Sequence, residues 1–301
     1  MILIVDSKTG STREFTTHNS KDSLDFINVI SSNPADGTVW LQNRGSRGTI
    51  DQYDEDFNLA FRIRGEKTDS HWLRQRYLGG VTSQGELVFV ERVGVEWEDL
   101  IRIRDSKGLL LREWGGLGRT SNIPQVWVDS YDDMIYVWEP EAGRMQKFNL
   151  TGLPVGEWGL SELIDEKRGH SYLCGFARFG DSFYLAADGD EGLTVIDTMG
   201  NIARVIPIPG LTDKLSCGPD LPGLLAIDRD GNFYFAGGKV PLNPDVVYIF
   251  NNIGEPLSQI DYLGDIHALE FDDQGYLWVA YNPIRESSTQ TVWAKAVKLS
   301  Q

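Results

Sequence analysis

The chain has 301 residues, 41% of them hydrophobic, and its 9 Trp, 11 Tyr and 13 Phe are ample for a large core. Its 28 basic and 44 acidic residues leave a net charge of −16, a field that repels phosphate backbones and anionic lipid surfaces, so neither nucleic acid nor membrane is an expected partner. No apolar run approaches a transmembrane helix, and the opening MILIVDSKTG lacks the basic start and long apolar stretch of a signal peptide, so a cytoplasmic protein is expected.

Residues 2–17 read as a pair of strands. After them a short strand motif, opened by Gly or Asp and continued by an apolar and aromatic run, returns six times: Gly37 (GTVWLQ), Gly85 (GELVFV), Asp133 (DMIYVW), Asp181 (DSFYLA), Gly231 (GNFYFA) and Gly275 (GYLWVA). The steps are 48, 48, 48, 50 and 44 residues. A strand repeat of this length predicts an all-β fold, a six-bladed β-propeller of four-stranded antiparallel blades in a single domain over 1–301. Within each repeat the innermost strand precedes the marker: 24–30, 77–81, 123–128, 172–177, 222–227 and 266–271. Small residues there, such as Gly79, Gly80, Gly175 and Gly223, suit crowding at the axis. The marker is the second strand, and its alternation predicts one buried and one exposed face. A third strand follows and ends in Asp or Asn (Asp105, Asn149, Asp197, Asn251), opening a turn that Gly closes. The fourth strand ends in Gly65, Gly115, Gly159, Gly210 or Gly264. Trp114 and Trp158 fall at equivalent positions in it, which points to packing between blades. The N-terminal strands are expected to complete the last blade and remove its free edges, although 291–299 also reads as a strand for that position. Cys174 and Cys217 are too few for a disulfide framework and read as two buried thiols.

The blade from Leu224 to Ile260 (AIDRDGNFYFAGG, then VVYIFNNIGEPLSQI) and the segment Arg144 to Gly159 (RMQKFNLTGLPVGEWG) resemble the NHL-repeat family of propellers. Virginiamycin B lyase, the gluconolactonase group and peptidylglycine amidating lyase share that six-bladed plan, and so do purely interacting members. The resemblance therefore implies a fold and leaves the activity open.

Propeller ligands bind at one mouth of the channel, and all four histidines (His18, His71, His170, His267) fall in the connections leading to innermost strands or at their start. His71, His170 and His267 lie 99 and 97 residues apart, two blades each, so three imidazoles could converge on a divalent metal, zinc before calcium. The resemblance to peptidylglycine amidating lyase, which holds zinc with three histidines from alternate blades, implies the same set. No organic cofactor is expected. Beside them Asp265 and Asp220 could orient an imidazole or act as base, Tyr77 and Arg76 are further catalytic candidates, and Trp72, Tyr172 and Asp25 could line a pocket. Asp188-Gly189-Asp190-Glu191-Gly192 is too short of ligands for a calcium loop and reads as an acidic turn. Two functions remain open. One is a metal-dependent lyase or hydrolase acting on a small polar molecule. The other is a non-catalytic scaffold holding a protein or ligand, in either case as a monomer.

Overall fold

The computed structural model describes residues 2–6, 12–15, 27–43, 49–54, 58–64, 76–93, 98–115, 117, 124–163, 170–188, 192–208, 223–236, 246–261, 265–272 and 274–282. Apart from one 3-10 turn at Ser161–Leu163, their regular structure is strand. No helix is long and apolar enough to cross a membrane, which says nothing of strands.

The strands form six four-stranded antiparallel sheets. In chain order the first complete one is β3 (Ile27–Ser32), β4 (Val39–Asn43), β5 (Thr49–Tyr53) and β6 (Leu59–Arg64). The second is β7 (Arg76–Val81), β8 (Leu87–Val93), β9 (Glu98–Arg104) and β10 (Leu110–Trp114). The third comprises β11 (Gln125–Asp129), β12 (Met134–Glu139), β13 (Arg144–Phe148) and β14 (Pro154–Gly159). The fourth holds β15 (Leu173–Phe179), β16 (Ser182–Ala187), β17 (Gly192–Asp197) and β18 (Ile202–Pro207). The fifth contains β19 (Leu225–Ile227), β20 (Phe233–Ala236), β21 (Val247–Phe250) and β22 (Pro256–Ile260). The last combines strands distant in sequence: β23 (Asp265–Phe271) and β24 (Tyr276–Asn282) are continued by β1 (Ile2–Asp6) and β2 (Thr12–Phe15). Ile2 lies opposite Ala280 and Asp6 opposite Tyr276, so the N-terminal segment takes the third position in that sheet. The rival segment 291–299 lies outside the described residues.

These sheets are the blades of a β-propeller. Their first strands touch in cyclic order, β3 to β7, β11, β15, β19, β23 and back to β3. Space between them is tight: a Cβ on Gly175 would overlap Leu225 of the next sheet, and one on Gly80 would stand 2.9 Å from Val128. Sheets five and six also bond directly, Leu269 N donating to Gly223 O at 2.6 Å. The residues between the first strands enclose a channel of about 210 Å3.

One expectation fails. The second strands do not alternate between a buried and an exposed face: Ile135, Tyr136, Val137 and Trp138 are all fully buried, and so are Leu87 to Val90. Each blade is sandwiched between two others, so a mid-blade strand is covered on both sides. Exposure returns only at the rim, where β14 and β18 are mostly open to solvent.

Between third and fourth strands the turn chemistry is repeated. The Asp105 carboxylate accepts the Lys107 and Leu109 amides (2.9 and 2.8 Å), and Asp197 accepts Met199 and Asn201 (2.9 Å each). Asn149 and Asn251 act alike. The closing glycines, such as Gly200 at φ +86°, meet the preceding blade. A Cβ on Gly152 would press into the Trp114 indole and one on Gly200 into that of Trp158, so these tryptophans serve packing between blades, as their spacing implied.

Gly200→Ala therefore meets two obstacles, a left-handed backbone and an occupied space, and is expected to lower unfolding free energy by about 2–4 kcal/mol in urea denaturation. Trp158→Leu in the same chain should recover about 1 kcal/mol of that loss, because the two residues are in contact. Strict additivity of the two changes would show that the indole does not occupy the space.

Candidate functional site at the channel mouth

The first strands all begin at one end of the channel, the end at which the second strands finish. Residues 170–173 run into β15 there, and hydrogen bonds from two neighbouring elements fix their course. Gln125, the buried first residue of β11, donates from Nε2 to Leu173 O (2.8 Å) and accepts from Leu173 N at Oε1 (2.7 Å). The Trp138 indole N–H donates to Ser171 O (2.7 Å), and Ser171 N donates to Pro140 O (3.2 Å). From their own blade, Ser171 Oγ donates to Asp188 O (2.9 Å) and Asp188 N to Tyr172 O (2.8 Å).

This short run carries two predicted site residues. The His170 ring stands edge-on to the Tyr172 ring, centroids 5.3 Å apart, with His170 partly exposed and Tyr172 buried. Burial pushes the Tyr172 phenol above the usual range for tyrosine; Tyr77, Glu141 and Asp188 add to the rise, and Arg92 opposes it. The phenol is accordingly a neutral hydrogen-bond donor at physiological pH. Tyr77, near the start of β7, is also buried, so blades two and four contribute a pair of phenols to one neighbourhood.

Arg92 and Asp99, at the mouth end of blade two, form a buried two-pronged ion pair, Nε to Oδ1 at 2.8 Å and Nη2 to Oδ2 at 2.7 Å. Burial raises the Asp99 carboxyl against the opposing pull of Arg92. Arg144 is held similarly at the mouth end of blade three, by Glu139 (2.8 and 3.1 Å) and Glu157 (3.2 Å).

The structure thus brings together His170, Tyr172 and Tyr77 from the predicted set. His267 sits on β23 at a bulge between Ile266 and Ala268 and is only 4% exposed, part of the wall of blade six. Asp265 and Arg76 open β23 and β7, and their side chains are outside the described residues, as are His71, Trp72, Asp220, Asp25 and His18 entirely. Among the described residues no three His, Cys, Asp or Glu side chains group closely enough to hold a metal ion. The described part of the mouth therefore offers acid–base groups and no ligand set. The reading of two thiols is corrected: Cys174 is disulfide-bonded, and Cys217 is the one other cysteine in the sequence. Neither residue alone signals a bridge, because pairing depends on how the chain returns.

Sequence reasoning missed Gln125, Arg92, Asp99 and Glu141, and took Asp188 only as part of an acidic turn. The ion pair was recoverable in principle, since the pairing of β8 with β9 sets Arg92 opposite Asp99. Gln125 carries no signal in the sequence, because a glutamine opening a strand resembles any solvated polar residue.

No protein-family model matches the chain, and no curated protein matches it by sequence. Solved structures do. A streptogramin B lyase superposes with a TM-score of 0.58 at 14% identity, covering 90% of this chain and 80% of that one. An inactive histidine-to-alanine variant of virginiamycin B lyase from Staphylococcus aureus, with quinupristin, gives 0.57 at 13% identity over 92% and 86%. The WD40 domain of Neurospora crassa Pan2 gives 0.54 at 9% identity over 85% and 73%. At such identities the likeness is one of fold.

Gln125→Leu would leave the buried Leu173 N–H and C=O without partners. It is expected to cost about 2–5 kcal/mol and to speed amide exchange at Leu173 and Asp188 before the rest of β15. Unchanged protection at those amides would show that another group holds the segment.

Proposed function

We propose that the six sheets make one closed six-bladed ring clasped by the N-terminal hairpin, and that its mouth binds a small polar molecule for lyase or hydrolase chemistry. The observation that carries this is the His170–Tyr172 pair: an imidazole in edge contact with a phenol that its surroundings keep protonated. In an elimination, the imidazole takes the proton beside a carbonyl, the electron pair forms the new double bond, and the phenol protonates the departing oxygen. Tyr77 and Arg92, the latter paired with Asp99, stand close enough to the phenol to act on its proton electrostatically. The likeness to two solved lyases supports the reading, as does the NHL-like order of the blades. Asp265, Asp220, Arg76, Trp72 and Asp25 remain candidates for the rim of the same mouth. The disulfide at Cys174 weighs against the cytoplasmic expectation, since such bonds persist mainly in oxidising compartments.

Quinupristin, the compound named with one of the solved lyases, is the first probe, with binding read by calorimetry and turnover by chromatography. Tyr172→Phe is expected to keep binding and to lower turnover by about 10²–10⁴-fold, and His170→Ala to do the same. The alkaline limb of the wild-type rate should lie above about pH 10, because the raised phenol gives up its proton late, and Glu141→Gln should move it to lower pH. Binding with no turnover in any variant or in the wild type supports the scaffold reading; turnover untouched by both substitutions places the site elsewhere. Zinc in equimolar amount, lost in His71→Ala, in His170→Ala and in His267→Ala, would establish the three-histidine centre.

A further inference from the structure

Deep in the channel, one ring of equivalent positions breaks the repeat. The residue of the first strand that pairs with the fourth residue of each marker is Ser31, Gly80, Trp127, Ala177, Ala226 and Glu270. Four are small, as crowding at the axis requires. The two large ones, Trp127 in the third blade and Glu270 in the sixth, are three blades apart, so they lie on opposite sides of the channel at one level. Both line its cavity of about 210 Å3, together with Phe176 and Phe271. Trp127 packs against Phe176 with ring centroids 5.4 Å apart, and both residues share the cavity lining with Glu270.

We propose that this level of the channel binds a small organic ammonium ion, with Glu270 as counter-charge and the Trp127–Phe176 wall as the aromatic surface. A cation placed between an indole face and a carboxylate gains from both, and gains most where water is scarce. Among the described residues none donates a hydrogen bond to the Glu270 carboxylate or pairs with it. Arg178 also lines the cavity, but its charge is spent on Asp129 and Asp132 at 2.7 and 2.6 Å. The mouth residues His170 and Tyr172 are not part of the cavity lining, so this site is separate from the one above.

Protonation tunes the site. Burial, with Asp272 adding to it, pushes the Glu270 carboxyl up to about 8. Of the strands packed on β23, β3 and β19 carry no titratable side chain, β20 brings Tyr234 beside Asp228, and β24 brings Tyr276 and Tyr281. Across the cavity stand Asp129 and Arg178. On β23 itself His267 lies three residues before Glu270, and His267→Gln serves as the control for its contribution to the pH dependence.

The probes are tetramethylammonium and methylammonium, titrated calorimetrically into the full chain at pH 6.0 and 9.0 against matched sodium chloride, with tert-butanol as the neutral isostere. Saturable binding of one cation per chain is expected, at least tenfold tighter at pH 9.0, with tert-butanol inert. Glu270→Gln should weaken it at least tenfold and abolish the pH dependence; Trp127→Leu should weaken it about tenfold and keep that dependence. His170→Ala should bind as wild type. The proposal fails if neither ammonium ion saturates, if tert-butanol binds equally, or if Glu270→Gln with an unchanged circular dichroism spectrum binds as before. Should Glu270→Gln not fold, Trp127→Leu decides by the same criterion: undiminished affinity overturns the site.

Discussion

Every blade has two apolar faces and no layer of another kind to cover them, so neighbouring blades must do so. That constraint governs the rest of the molecule. It explains why the second strands are buried on both sides and why charged side chains inside blades come as ion pairs, Asp51 with Arg62 (2.7 Å) and Glu91 with Arg102 and Arg104 (2.5 and 3.3 Å). A row of blades leaves an apolar face bare at each end; a ring leaves none. The pairing of β1 with β24 meets the same need along the chain, because it seats the N-terminal strands beside β23 and β24 in one sheet.

Contact between blades is fixed at two radii. Near the axis, glycines let the first strands approach until Gly175 meets Leu225. Farther out, a turn glycine of blades two to five meets a fourth-strand side chain of the blade before: Gly108 on Ile63, Gly152 on Trp114, Gly200 on Trp158 and Gly254 on Ile206. Two fixed radii set the angle between neighbours, which is what makes a ring close at a definite number of sheets. Asp133 shows the same demand met differently. It is the only non-glycine residue with positive φ among those described (52°), and its carboxylate accepts from Ser83 N and Oγ of the previous blade at 2.7 and 2.6 Å. The strained backbone is offset by a bond that glycine could not make.

The repeat was legible in the sequence because its signals are local: a marker strand, an Asx residue opening a turn, a glycine closing it. First strands were placed to within three residues for the same reason. Burial of the second strands was misread, since alternation in a sequence cannot say whether a second face is also covered. The mouth was legible through His170, Tyr172 and Tyr77, which stand where connections enter first strands. Its supports were not, because Gln125 and Trp138 act on backbone groups of another blade, 48 and 33 positions away. Glu270 passed unnoticed within an apolar strand; alignment of the six first strands would have exposed it, since its counterparts are small or aromatic.

Electrostatics narrow what either site can hold. The described arginines at the mouth and in the channel are each engaged by carboxylates: Arg92 by Asp99, Arg144 by Glu139 and Glu157, Arg178 by Asp129 and Asp132. An anionic ligand would have to compete for them against partners already within hydrogen-bonding distance, inside a chain of net charge −16. Neutral ligands with a carbonyl to accept from Tyr172, and cations small enough to pass the ring of first strands, meet no such competition. The proposed mouth and channel sites differ in ligand for one reason: the acid that engages Arg92, Arg144 and Arg178 leaves phenols as donors at the mouth and a carboxylate within.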